Sequence, residues 1–247
     1  MSGHSKWSTI KRKKGEKDGA RAKIFTKISR EIIVCIKETG NADPANNGKL
    51  RDLITKAKSN NIPNENIERL LKKAAGGNEK NDYEDCVYEG YGPNGVAVMV
   101  ECLTDNRNRT AGEVRHYFDK YGGNMGATGC VSFMFSQKGV VVLDNEDKEI
   151  DSDALMEHVL EAGGDDFELG GGENTAVVYC PPEKAITVGE EMKKQGYTVL
   201  SAEAEQIPST YTKLTDEEHI KKMNLLLEML EDYDDVQNVW HNWNNWE

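Results

Sequence analysis

The chain is poor in the features that mark membrane proteins, secreted domains and most enzymes. None of its apolar runs approaches the roughly 18 residues a membrane-spanning helix needs. The N-terminus is basic, but no apolar stretch follows Lys14, so no secretory signal is expected. Ser2 stands before Gly3, so the myristoylation pattern, with Gly next to Met1, is absent. The five cysteines, Cys35, Cys86, Cys102, Cys130 and Cys180, are odd in number and form no CxxC pair. That argues against a disulfide framework and against a structural zinc site. Most have apolar neighbours, as in Ile33-Val34-Cys35-Ile36, and read as small core residues in a reducing, cytoplasmic compartment.

Catalytic signatures are equally scarce. His4, His116, His158, His219 and His241 show no HxxxH or HExxH spacing, and no Gly-x-Ser-x-Gly or Cys/His pair stands out. The glycine-rich loop at residues 122–129 lacks the Gly-Lys-Ser/Thr of a phosphate-binding loop and opens no clear helix, so it reads as a flexible connector or bulge. Asp144, Glu146, Asp147, Glu149, Asp151 and Asp153 have the charge of a calcium loop without the glycine of its sharp turn. No catalytic residue, metal or cofactor is assigned, and the chain does not read as an enzyme.

What is abundant is charge, and it is divided by position. Charged residues make up 30% of the chain and hydrophobic residues 37%. Residues 1–77 carry a balance of +10 and residues 78–247 a balance of −22, which together make the net −12. A basic head on an acidic body points to a polyanion, above all nucleic acid, as the partner of the N-terminal part.

The densest basic segment is an arm holding Lys6, Lys11, Arg12, Lys13, Lys14, Lys17 and Arg21, with Trp7 placed to stack on an unpaired base. Such density repels itself unless a polyanion neutralises it, and phosphate contacts give affinity with steep salt dependence. Lys23, Lys27 and Arg30 then fall on one face of the following helix and extend the basic surface. Arg107, Arg109 and Arg115 are the only arginines after Arg69. Two roles fit them equally: gripping phosphate beside a helix N-terminus, or pairing with acids across a domain interface. Asn106 and Asn108 read as turn and cap residues.

Periodicity predicts three amphipathic helices before Gly76-Gly77. The first carries Ile24, Phe25, Ile28, Ile32, Cys35 and Ile36; the second Leu50, Leu53, Ile54 and Ala57; the third starts near Asn64. Beyond them come a buried strand at residues 96–100, a helix at 110–121 and a strand at 131–135. Residues 138–206 read β-α-β-β-α-β, the order of a ferredoxin-like domain. A strand near 207–213, a helix near 215–231 and a strand near 236–241 would then complete the domain begun at 83–135. The expected fold class is α+β with three domains: a helical N-terminal domain (1–77) and two α+β, ferredoxin-like domains. One of these (136–205) is inserted in the other (80–135 with 206–247). For Trp243 and Trp246 near the end, packing back and meeting a partner stay open.

Several motifs resemble one family. They are Gly3-His4-Ser5-Lys6-Trp7, Lys23-Ile24-Phe25-Thr26-Lys27, Asn66-Ile67-Glu68-Arg69, Tyr88-Glu89-Gly90-Tyr91-Gly92-Pro93 and the stretch from Glu101-Cys102-Leu103-Thr104-Asp105 to Asn106-Arg107-Asn108-Arg109-Thr110. The chain is similar in these to the YebC/PmpR family, which also includes the mitochondrial translational activator of cytochrome oxidase subunit one. The resemblance implies a three-domain, cytoplasmic protein without catalytic residues. It favours DNA-binding regulation of transcription, while other members act in translation, at the ribosome or on messenger RNA. The expected partner is therefore nucleic acid (DNA, or ribosomal or messenger RNA), with no membrane and no small-molecule substrate. A protein–protein adaptor working through its acidic surface is the further alternative.

Overall fold

The computed structural model describes residues 19–76, 83–144, 150–169 and 175–244. Three helices come first, as the periodicity predicts: α1 (Gly19–Thr39), α2 (Gly48–Ser59) and α3 (Asn64–Ala75). Ile28, Ile32, Cys35 and Ile36 meet Leu50, Leu53, Ala57, Ile67 and Leu70 in one core. Gly40, at φ 63°, turns the chain after α1 in a conformation that side chains with a Cβ avoid. Asn47 caps α2: its Oδ1 accepts from the Leu50 N–H at 3.1 Å. Its Nδ2 donates to Thr39 Oγ1 and Asn41 O, both at 2.9 Å. One buried amide thus ties the end of α1 to the start of α2.

The next elements are β1 (Glu84–Tyr91), β2 (Ala97–Thr104), α4 (Arg107–Lys120) and β3 (Asn124–Met125). A βαββαβ series follows: β4 (Phe135–Asp144), α5 (Ser152–Ala162), β5 (Asp166–Leu169), β6 (Thr175–Cys180), α6 (Ala185–Lys194) and β7 (Val199–Pro208). The described chain closes with α7 (Glu217–Asp232) and β8 (Val236–His241). The fold is α+β, and one α+β domain is inserted in the other. The described residues of Gly15–Val131 and Thr215–His241 make one compact unit; those of Ser132–Leu214 and of the segment from Asn242 belong to the second.

In the first unit the sheet order is β3-β1-β2-β8, antiparallel throughout. Val114 and Phe118 of α4 and Met223, Leu226, Leu227 and Leu230 of α7 are buried beside it. Gly90 is required by close approach, since a Cβ there would stand 2.6 Å from Asn124 O and 2.9 Å from Phe118 Cε1. In the second unit the order β5-β6-β4-β7 is that of a ferredoxin-like domain. Val141, Leu143, Leu155, Val159, Ala176, Val178, Val188 and Met192 form its core.

Three local features differ from the sequence expectation. Residues 131–135 are not a strand: Ser132–Met134 is a 3-10 turn, and β4 starts only at Phe135. The cause is remote, because the Val131 N–H is taken by the Glu89 carboxylate at 2.8 Å and is lost to any ladder. The strand expected near 207–213 contributes only its first residues, as the end of β7. Beyond it Thr212 forms a single parallel bridge to Trp243. Trp243 itself is fully buried, so this tryptophan packs back onto the fold, while Trp246 lies outside the described residues. The sequence pattern predicts no strand where β1 lies. All five cysteines are free thiols, four of them buried and Cys130 half-buried. No helix among the described residues is long and apolar enough to cross a membrane.

Candidate nucleic-acid interface

Lys6, Trp7, Lys11, Arg12, Lys13, Lys14, Lys17 and the Arg21 side chain lie outside the described residues. The described part of the expected basic surface begins at Lys23. Lys23, Lys27 and Arg30 recur at spacings of four and three residues, which aligns them along one stripe of α1. All three meet one short acidic segment, residues 231–235.

Lys23 Nζ pairs with Asp232 Oδ1 at 2.7 Å, both side chains being about half exposed (46% and 55%). Lys27 Nζ donates to the Glu231 carbonyl at 2.9 Å. Arg30 donates to the Asp234 carbonyl at 2.7 Å and to Asp235 Oδ1 at 2.8 Å, and its guanidinium lies 5.5 Å from the Tyr83 ring centre. The electrostatics follow from α7, which ends in Glu231 and Asp232 and has no basic residue in its last turn. Its terminal carbonyls are the negative end of the helix dipole. Acids placed there repel that end, and the α1 cations offset the repulsion.

Asp235 is the centre of the deepest cluster, with its side chain 4% exposed. Oδ1 takes Arg30. Oδ2 accepts from Arg109 at 2.7 Å, Thr110 Oγ1 at 2.8 Å, Thr104 Oγ1 at 3.1 Å and the Tyr233 hydroxyl at 3.1 Å. Burial by itself raises the pKa of a carboxyl, but the bonds from Arg109, Thr110 and Arg30 outweigh it and hold Asp235 down to about 2. The same contact with Asp235, aided by Tyr233 and Asp105, pushes the Arg109 guanidinium further up. Local geometry positions Arg109. Asn106 caps α4 by accepting from the Arg109 N–H at 3.1 Å, and Asp105 pairs with Arg109 at 2.8 Å.

The structure therefore brings Arg30 and Arg109 together on one carboxylate, although 79 positions separate them in the chain. Arg107 and Arg115 are not part of this cluster. Both are exposed on α4, and the Arg107 carbonyl accepts from the Tyr88 hydroxyl at 3.1 Å. Of the two roles open for these arginines, pairing with an acid across packed elements is the one Arg109 has.

The glycine-rich loop, expected as a flexible connector or bulge, is pinned by hydrogen bonds. Glu89, 4% exposed, accepts from the Gly129 N–H and the Val131 N–H, each at 2.8 Å. The Tyr91 hydroxyl donates to Cys130 O at 2.8 Å. A carboxylate of the protein thus occupies two backbone donors of the kind that bind anions. Among the described residues no three His, Cys, Asp or Glu side chains stand close enough to hold a metal ion.

Sequence reading missed Asp235 and Glu89 as organising groups. The available signal was the acidic run Glu231-Asp232-Tyr233-Asp234-Asp235, closing a helix whose last turn has no cation, in a chain that also carries isolated arginines.

Comparison with known proteins accounts for the whole described architecture. Residues 5–77 match the TACO1/YebC protein N-terminal domain and residues 83–243 the TACO1/YebC second and third domain. A probable transcriptional regulatory protein of Ruminiclostridium cellulolyticum is 52% identical over 94% of this chain and 92% of its own. One from Geobacillus kaustophilus is 50% identical over 94% and 93%. The crystal structure of a conserved hypothetical protein from Aquifex aeolicus superposes with a TM-score of 0.79, at 42% identity and 92% coverage of both chains. With both family regions matched in order along nearly its full length, the chain belongs to the TACO1/YebC family.

Proposed function

We propose that this protein is a non-enzymatic, nucleic-acid-binding regulator of gene expression, acting in the cytoplasm as a DNA-binding regulator of transcription. The observation that carries the reading is the charge division: ten Lys/Arg against two acids in residues 1–30, on a chain of net −12. The names of the relatives, probable transcriptional regulatory proteins, support the regulatory role. In this reading the arm from Lys6 to Arg21 and the outer α1 lysines, Lys23 and Lys27, contact phosphates. Exposed Arg107 and Arg115 offer a second anchor, whereas Arg30 and Arg109 hold Asp235.

A second reading, a translation factor bound to ribosomal or messenger RNA, is favoured by one feature. The arm places Trp7 among cations and glycines, a composition suited to unpaired bases and irregular RNA grooves.

Replacing Lys11, Arg12, Lys13 and Lys14 by Ala tests the shared premise. The expected outcome is weaker binding and a shallower salt slope, by up to about 0.9 per lost duplex contact. An unchanged slope would leave the acidic adaptor as the better account. Crosslinking and sequencing of bound nucleic acid from cells, with DNA and RNA counted separately, divides the two readings. Ribosome co-sedimentation that vanishes when residues 1–20 are deleted would select the second.

A further inference from the structure

The α1 cations are not equally held. Lys23 and Asp232 form an exposed ion pair, and Lys27 donates to a carbonyl at the end of α7. Arg30 is only 16% exposed, on an Asp235 that four further donors also grip. Exposed pairs are weak and screened by salt, so a competing anion can replace one partner. A buried carboxylate bonded on both oxygens cannot be exchanged in that way, because removing a partner strands the other charge. The attachment of α1 to residues 231–235 therefore loosens progressively from Arg30 outward to Lys23, towards the end where the basic arm joins the helix.

We propose that the C-terminal end of α7, Glu231 and Asp232, is an internal substitute for phosphate that competes with nucleic acid for Lys23 and Lys27. The Arg30–Asp235–Arg109 cluster is the fixed pivot of this latch. The inference rests on the nucleic-acid reading above. A strand of nucleic acid lying along the arm reaches Lys23 first and Lys27 next, displacing Asp232 and then the Glu231 carbonyl. The negative end of α7 resembles a phosphate run in the relevant respects: a carboxylate and a dipole-enriched carbonyl, presented in sequence to cations on one helical stripe. The latch lowers affinity for any polyanion that cannot reach both lysines. It thereby suppresses loose binding by short or poorly placed strands.

Asp232→Asn and Asp232→Lys test this in the full chain, with Glu190→Lys as the control. Glu190 is an exposed residue of α6 in the second unit, so its reversal changes net charge by the same amount without touching the latch. The probes are a mixed-sequence DNA duplex and a single-stranded RNA, titrated at fixed salt. Asp232→Asn is expected to tighten binding about two- to fivefold, the range an exposed pair can supply. Asp232→Lys is expected to tighten it by about tenfold, and Glu190→Lys by less than about twofold. Amide exchange in the last turn of α7 should also rise when nucleic acid is added to the unaltered protein. If Asp232→Lys matches Glu190→Lys, or if that turn stays as protected with nucleic acid as without it, the latch is overturned while the binding reading stands. If neither the unaltered protein nor any variant binds in a salt-dependent way, the binding reading falls and the latch with it.

Discussion

The two four-stranded antiparallel sheets are each backed by two helices, yet their interiors are built on different chemistry. In the second unit the helix-facing core is hydrocarbon: Val141, Leu143, Leu155, Val159, Val178, Val188 and Met192. In the first unit buried polar groups stand at the points where elements join. Glu89 pins the glycine-rich loop, while Thr104, Thr110 and Asp235 join β2, α4, β8 and α1. Hydrocarbon burial is proportional to area and indifferent to direction. A carboxylate that must satisfy two oxygens fixes the orientation of every donor around it. The first unit has a helical region to hold in place, and Asp235 does this through Arg30.

The comparison is broken most severely at Asp235. Asp235→Ala strips the half-buried Arg30 of its counter-charge and leaves Arg109 with Asp105 alone, and about 3–5 kcal/mol of stability should be lost. Urea unfolding monitored by amide exchange in β2 and α4 measures it. Leu155→Ala makes the equivalent cut in the hydrocarbon core, and a loss of about 2–5 kcal/mol is expected, reported by amides of β4 and β6.

Acid separates the two chemistries more finely. The folded-state pKa of Asp235, about 2, lies below its ordinary value of 3.8. The ionised carboxylate therefore stabilises the first unit above the ordinary value, and this contribution disappears as pH falls through that value toward 2. Roughly 2 kcal/mol should be lost between about pH 5 and pH 2. Exchange rates of β2 and α4 amides measured over that range check it, and Asp235→Asn should remove this component of the pH dependence. The smallest effect is expected at Arg69, whose partner Glu65 is 84% exposed on α3. Arg69→Ala should change stability by less than about 0.5 kcal/mol, within the range of an exposed i,i+4 pair.

Much of the fold was legible in advance. α1, α2 and α3 announce themselves through apolar spacing and through Gly40, Asn47 and Gly76 at their ends, because helix signals are local. The βαββαβ order of the second unit was readable for the same reason. β1 was hidden because three of its eight residues are acids, Glu84, Asp85 and the buried Glu89, and Gly90 interrupts the pattern, so its strand character depends on pairing with β2. The 131–135 segment looks apolar enough for a strand, but Glu89, more than 40 residues earlier, captures the Val131 N–H. Of the candidate interface, the sign of the charge was legible and its internal partners were not.

The sequence by itself determined the basic head, the acidic body, the helical start and the family motifs. These reside in composition and short-range spacing, which one-dimensional order preserves. Only the tertiary structure decided which cations face outward and which are held. Arg30 and Arg109 look alike in sequence to Arg107 and Arg115, and they differ because chain closure through β8 brings Asp235 beside them. A charge carries its sign with it wherever it lies, but its energy depends on the distance and burial of a partner, and both are set by packing.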